Sequence, residues 1–246
     1  MGVTALTPSA TARRTGVRVS VVPWHIPAVL FASTSMVVGV IWDISWHMTI
    51  GRDTFWTPAH LAIYLGGIVG GLASGYVVLR TTFAGTAAER AAAVRFWGFR
   101  GPLGAWVTIW GALAMLTSAP FDDWWHNAYG LDVEILSPPH VVLALGIVSI
   151  ATGAMLGTLA YQNRTDARSG WIDRGYAYAA GLVLTFYAIL ATEYTDRILH
   201  HSSIFYMVAC AAFPFVIVGA ASASRLRWPA TTIAGVYTLV TVLMVW

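Results

Sequence analysis

The stretch WDISWHMTIGRDTFWTPAHLAIYLGG, residues 42–67, joins two strongly apolar segments and carries a carboxylate and two imidazoles at the junction. Asp43 and His47 are four residues apart, which places both on one face of a helix, one turn apart. His60 follows Pro58 at the start of the next apolar run. Ionisable groups next to hydrocarbon are costly, so they usually serve a function. This combination of residue types and spacing is typical of a metal site.

The composition describes an integral membrane protein, because 57% of the 246 residues are hydrophobic, only 10% are charged and the mean hydropathy is +0.67. We predict an all-α, polytopic membrane helix bundle of about seven transmembrane helices, with a polar cytoplasmic tail at 1–20 and a single transmembrane domain at 21–246. The predicted spans are 23–47, 57–80, 102–121, 139–161, 175–195, 203–224 and a short last helix at 229–246. No apolar core with a cleavage site follows the tail, so we expect no cleaved signal peptide.

The positive charges orient the bundle. All fourteen basic residues are arginines, and twelve of them lie in the N-terminal tail or in the loops after the second, fourth and sixth spans. Only Arg52 and Arg197 lie at the other side. The positive-inside rule therefore predicts a cytoplasmic N-terminus, with the first, third and fifth loops facing a bacterial periplasm. Tryptophans at both rims, Trp97 among those at the inner one, fit two interfacial belts.

A second stretch, FDDWWHNAYGLDVEILSPPHVVLALG at 121–146, repeats the first pattern. Asp122 and His126 have the spacing of Asp43 and His47, and His140 again opens an apolar run after proline. The separation from His126 to His140 is one residue longer than the separation from His47 to His60. The repeat predicts an internal duplication of helical hairpins, at about 23–80 and 102–161.

A third outer junction lies in the hairpin predicted at about 175–224. It offers Glu193, Asp196 and His200, with His201 next to them, but it lacks the proline and histidine that open the following helix. We treat it as a degenerate copy whose residues are tentative ligands. Because every second loop lies on one face of the membrane, the three hairpins bring their polar ends together and are expected to build one or two sites between helices.

Two neutral imidazoles and one carboxylate suit copper, zinc or iron and leave coordination positions open for water, oxygen or substrate. Closed structural sites, in contrast, fill every position with protein ligands. Metal identity does not follow from these ligand types alone. Acidic and basic side chains in the two connecting loops are expected to orient the ligands, namely Arg52, Asp53, Asp132 and Glu134.

The run from Asp43 to His60, with Thr49, Arg52 and Asp53 between them, resembles the most distinctive segment of the C subunit of the particulate methane and ammonia monooxygenase family. The resemblance covers the first quoted stretch closely and the rest of the chain only as a multi-helix membrane scaffold. It implies that Asp43, His47 and His60 are copper ligands. It also implies oxidation of methane, ammonia or short hydrocarbons, in a complex whose partner subunits supply electrons and further metal.

Two other functional classes use the same ligands, namely a protein that binds or delivers copper without turnover and a zinc-dependent membrane hydrolase. A purely structural contact between helix ends is the plainest alternative, with Asp43 accepting from the histidines and Thr57 capping the second helix. We expect contact with lipid, with partner membrane subunits or a second copy of the chain, and with a small neutral substrate, and we expect no nucleic acid. A retinal-based light-driven protein is excluded, because the chain has no lysine for a Schiff base.

Overall fold

The protein is described by a computed structural model that covers residues 23–51, 54–130, 137–165, 170–194 and 203–245. Within these ranges the chain is almost entirely helical, which confirms the predicted all-α class. The elements in chain order are α1 (His25–Thr49), α2 (Pro58–Ala84), α3 (Ala87–Ala91), β1 (Val94–Phe96), β2 (Phe99–Gly101), α4 (Leu103–Tyr129), α5 (Pro138–Arg164), α6 (Gly170–Tyr194), α7 (Ser203–Ala223) and α8 (Pro229–Val245).

In the described part of the chain, six helices are long and apolar enough to cross a bilayer, namely α1, α2, α4, α5, α6 and α7. The predicted seventh span is α8, whose 17 residues lie at the lower limit for a transmembrane helix. The predicted third hairpin corresponds to α6 and α7, which pack together. The main core joins α6 to α1, α2, α4 and α5, and a smaller cluster joins α6 to α7 and α8.

The helix α4 is longer than the predicted span, which ended at residue 121. The apolar run stops at the two aspartates after Phe121, but the helix continues across Pro120 to Tyr129. It ends at Gly130, which has a φ of 100° and donates its N–H to the carbonyl of His126. Glycine adopts that conformation without steric cost. The extension places Asp122 and His126 on a helix.

A β-hairpin and the short helix α3 occupy the loop between α2 and α4, and the sequence analysis predicted neither. The strands pair antiparallel, with Val94 opposite Gly101 and Phe96 opposite Phe99. The turn consists of Trp97 and Gly98, with φ values of 48° and 85°. Two positive φ angles define the type I′ turn that suits two-residue hairpins. A tryptophan in the first turn position is not the usual Asn-Gly signal, so the pattern was missed.

The predicted duplication appears in the packing of α1 on α2 and of α4 on α5. In the first hairpin Gly66 of α2 lies against Met36 of α1, and in the second Gly146 of α5 lies against Met115 of α4. Both methionines are seven residues before the aspartate of their motif, and both glycines are six residues after its last histidine. The two hairpins therefore share one packing register.

The contacts between the duplicated hairpins are those expected of a pseudo-twofold axis. The helix α2 contacts α4 while α1 contacts α5, which is the exchange of partners that such an axis produces. Gly70 and Ile150 each lie ten residues after the last histidine of their motif. A Cβ added at Gly70 would be 3.3 Å from Ile150 Cγ2, so these equivalent positions meet at the axis. Repeats of the same orientation have their axis along the membrane normal, so the polar ends of the two hairpins are neighbours.

Candidate metal centre

The close packing of α1 on α2 places His60 beside Asp43. Asp43 and His47 lie near the end of α1, and His60 is the third residue of α2. One turn before Asp43, Gly39 allows the two backbones to approach, because a Cβ added there would lie only 3.0 Å from the carbonyl oxygen of Ala59. Ala59 directly precedes His60. The glycine contact therefore sets the distance between the two ligand-bearing helix ends.

The three side chains of the first motif converge as the sequence predicted. Asp43 Oδ1 lies 3.1 Å from His60 Nε2, and Asp43 Oδ2 lies 3.9 Å from His47 Nε2. One ligand atom from each residue lies within 4.8 Å of the other two. The side chains of Asp43 and His60 are 22% and 20% exposed, whereas that of His47 is 51% exposed. A cation between them would keep an open side toward His47.

The second motif forms the same arrangement. Asp122 Oδ1 lies 3.2 Å from His140 Nε2, and Asp122 Oδ2 lies 3.5 Å from His126 Nε2. These residues also place one ligand atom each within 4.8 Å of the others. His126 Nδ1 is 3.2 Å from the carbonyl oxygen of Gly130. Since a carbonyl only accepts, this bond puts the proton on Nδ1 and leaves the Nε2 lone pair directed at the cluster, as in many metal sites.

The buried carboxylate oxygens support the view that these residues fit a metal ion. Asp43 Oδ1 and Asp122 Oδ1 are buried atoms. The Nε2 atoms of His60 and His140 lie 3.1 and 3.2 Å from them, and His140 hydrogen-bonds to the Asp122 carboxylate. A carboxylate oxygen and an imidazole nitrogen at this separation share a proton or, when that proton is lost, can coordinate one cation.

The two clusters are neighbours at one end of the bundle, as predicted. His60 opens α2 and His140 opens α5, and α2 also packs against α4, which carries Asp122. The Asp122 carboxylate lies within electrostatic reach of His60 as well as of its own two histidines. Both sets of ligands therefore contribute to one electrostatic environment.

Aromatic rings lie at the same end of the bundle as the clusters. Tyr64, one turn after His60, has its ring centroid 6.1 Å from that imidazole and 5.1 Å from the ring of Phe55. Next to the second cluster, Trp125 and Tyr129 have ring centroids 4.5 Å apart. The i, i+4 spacing of Tyr64 from His60 was the available sequence signal. Tyr64 is therefore a neighbour of the first cluster that the sequence analysis did not select.

Thr57 does not cap α2 as the structural alternative expected. Its hydroxyl accepts the N–H of Thr54 at 2.8 Å, and the helix has no side-chain cap bond. This bond folds the segment before α2 and leaves the start of the helix to Pro58. The capping part of the structural alternative is therefore wrong.

The third junction lies mostly outside the described residues. Glu193 belongs to the last turn of α6. Asp196, His200 and His201 lie outside the described residues. The loop residues that were expected to orient ligands, Arg52, Asp53, Asp132 and Glu134, lie outside them too. Their predicted roles stay predictions.

Fold and site together define the class of the molecule, a polytopic all-α membrane protein with two adjacent Asp/His clusters that could hold metal ions. No protein-family model, no curated protein and no solved structure matches the chain.

Proposed function

We propose that the chain is the metal-bearing subunit of a copper-dependent membrane monooxygenase that oxidises small neutral molecules such as methane, ammonia or short hydrocarbons. The observation that carries the proposal is the repeated convergence of one carboxylate and two imidazoles, each of which places one ligand atom within 4.8 Å of the other two. The resemblance of residues 43–60 to the monooxygenase C subunit supports copper and an oxidative reaction. The proposed ligands are Asp43, His47 and His60 in the first site and Asp122, His126 and His140 in the second.

The residues of the chain hold and orient the metal in this proposal. The carboxylates and imidazoles supply the ligand atoms, and the Gly130 carbonyl fixes the orientation of His126. Copper, when bound, supplies the redox chemistry needed to oxidise a C–H or N–H bond. The ring of Tyr64 beside His60 gives the first site an aromatic side that suits a neutral substrate dissolved in lipid and disfavours charged ones. Partner membrane subunits, or a second copy of the chain, would bring the electrons.

The proposed location is the bacterial cytoplasmic membrane, with both clusters at the periplasmic side. Twelve of the fourteen arginines lie at the predicted cytoplasmic side and two at the predicted periplasmic side, which supports this orientation. A periplasmic site would also receive copper without transport of the ion into the cytoplasm.

Metal analysis of the purified protein tests the first site. Wild-type protein should retain about one copper ion or more per chain, and His47→Ala or His60→Ala should lower that content substantially, because each change removes one of only three protein ligands. His25→Ala is the matched control, since His25 opens α1 at the opposite end. Mass spectrometry measures the content, and X-ray absorption distinguishes copper from zinc. Unchanged metal content in both cluster variants would refute the assignment of the site.

Copper binding and delivery without turnover is the second candidate, and the 51% exposure of the His47 side chain favours it, because an exposed ligand allows exchange with soluble carriers. The two functions differ in their products. An oxygenase yields oxidised substrate when reductant and oxygen are supplied, whereas a carrier yields only transfer of copper to an acceptor chelator. Stoichiometric zinc with ester or amide cleavage would instead identify a hydrolase.

A further inference from the structure

The β-hairpin lies at the opposite end of the bundle from the metal clusters, and side chains of two transmembrane helices hold it in place. Thr82 of α2 accepts the N–H of Arg100 at 2.8 Å. Trp106 of α4 donates its indole N–H to the carbonyl of Val94 at 3.1 Å. The ring of Phe96 packs against Trp106, with centroids 5.5 Å apart. The hairpin therefore has a fixed position relative to the membrane-spanning helices.

The hairpin concentrates positive charge without matching acids. Arg95 and Arg100 are directly opposite each other, at a pair where the strands exchange no hydrogen bonds and side chains come closest. Arg100 also donates to the carbonyl of Arg90 at 3.2 Å, which brings a third arginine near. Like charges at such positions destabilise a hairpin. Within the described residues none of the three forms an ion pair, since the nearby Glu89 pairs with Arg80 at 3.0 Å.

Exposed aromatic rings surround the arginines. Trp97 at the tip is 84% exposed, and Phe83 at the end of α2 is 74% exposed. The Phe83 ring meets Phe99 edge to face, with centroids 6.3 Å apart. The amphipathic indole of an exposed tryptophan such as Trp97 settles at the headgroup level of a bilayer. The combination of cations and exposed rings at one end of the transmembrane helices is typical of a bilayer surface.

We infer that the basic hairpin surface, formed by Arg90, Arg95, Trp97 and Arg100, binds the phosphate of an anionic phospholipid. Guanidinium groups match phosphate oxygens with two parallel hydrogen bonds and would lose their mutual repulsion on binding. Basic pockets at the ends of transmembrane helices bind anionic headgroups by the same interactions. The site is independent of the metal clusters and of the function proposed for them.

Native mass spectrometry of the purified full-length protein in detergent tests this site, with phosphatidylglycerol and phosphatidylcholine supplied in equal amounts. Wild-type protein should retain phosphatidylglycerol preferentially. Each arginine near the surface contributes enough for about a fivefold change in affinity, so Arg95→Gln with Arg100→Gln should weaken retention roughly 25-fold. The double change to lysine should keep most of the lipid affinity that depends on charge and lose the affinity that depends on bidentate hydrogen bonds.

Arg227→Gln is the matched control, because Arg227 lies at the same end of the bundle, where its guanidinium covers the Trp228 ring at 5.6 Å. Thermal unfolding with and without phosphatidylglycerol provides a second readout and checks that the variants fold. The lipid should raise the unfolding midpoint of wild type and of Arg227→Gln but not that of the double glutamine variant. Equal retention of both lipids by wild type, or unchanged retention by the double variant, would overturn the inference.

Discussion

Gly39→Ala perturbs the contact that positions the candidate metal ligands without changing any ligand. A Cβ at Gly39 would lie 2.6 Å from Ile63 Cγ1, 2.9 Å from Ile63 N and 3.0 Å from the Ala59 carbonyl oxygen. Carbon contacts settle at about 3.5–4.0 Å, so the helices must separate locally by roughly 0.5–1 Å. Overpacking of this kind costs about 1–3 kcal/mol. The movement reaches His60 directly, because Ala59 precedes it.

This displacement exceeds the tolerance of about 0.2 Å on metal–ligand distances. Metal binding in the variant must bring the two helix ends together again against this strain. A strain of about 1–3 kcal/mol corresponds to about a 5- to 150-fold loss of metal affinity. Competition against a chelator of known affinity measures this loss. Gly75→Ala on α2 is the control, since a Cβ there would meet nothing within 4 Å. Wild-type metal affinity in Gly39→Ala, or an equal loss in Gly75→Ala, would refute the reasoning.

Three further predictions concern other parts of the chain. Reporter fusions between α2 and α4 should be cytoplasmic and those between α4 and α5 periplasmic, and reversed signals would move the clusters to the cytoplasmic side. Asp43→Asn and Asp122→Asn should have less than additive effects on metal affinity, because His60 lies within reach of both carboxylates. If the loss of binding free energy in the double variant equals the sum of the two single losses within about 0.5 kcal/mol, the sites are independent. The N–H of Thr86 donates to Glu89 and, with a nearby arginine, lowers the pKa of that carboxyl below its ordinary value. The ionised Glu89 carboxylate therefore stabilises the fold at neutral pH, and this stabilisation is lost as the pH falls through the lowered pKa. The unfolding midpoints of wild type and Glu89→Gln should differ at about pH 7 and converge in acid. A difference in midpoint that persists in acid would contradict this role of the Glu89 charge.

The transmembrane helices were predictable because the length of an apolar run is fixed by the thickness of the bilayer. The end of α4 was not predictable in this way, because the apolar run stops before Asp122 whereas the helix continues to Tyr129. The β-hairpin was also missed. Its turn uses Trp97 in a conformation that glycine or asparagine usually adopts, and contacts with α2 and α4 hold it there. Tertiary contacts outweigh local preference at that point.

The composition of the clusters was predictable, because a four-residue spacing and a histidine at the start of the next helix specify which side chains can meet. The helix contacts that align them were predicted less well. In the sequence, Gly67, Gly71 and Gly75 follow one another at four-residue spacing, which is a pattern typical of a close packing face. The structure places Gly67 and Gly71 against α4 and Gly75 in open space, while Gly66 makes the close contact with α1. Which glycine meets a neighbour depends on the rotation of both helices, and one sequence pattern does not determine that rotation.

A comparison of the two repeats bears on whether the clusters serve chemistry or only packing. At the end remote from the clusters, equivalent positions of the two repeats carry side chains of different volume. Ile26 in α1 corresponds to Ala105 in α4, and Val77 in α2 corresponds to Gly157 in α5. All four residues line one cavity. At the cluster end both repeats keep the same donor atoms in the same pairs. The packing volumes at the remote end have changed between the repeats. The donor atoms at the cluster end are present twice, in similar geometry. A structural contact would also need only one carboxylate–imidazole pair, yet each cluster includes a second imidazole. This difference between the two ends favours metal ligation over a structural contact between helix ends.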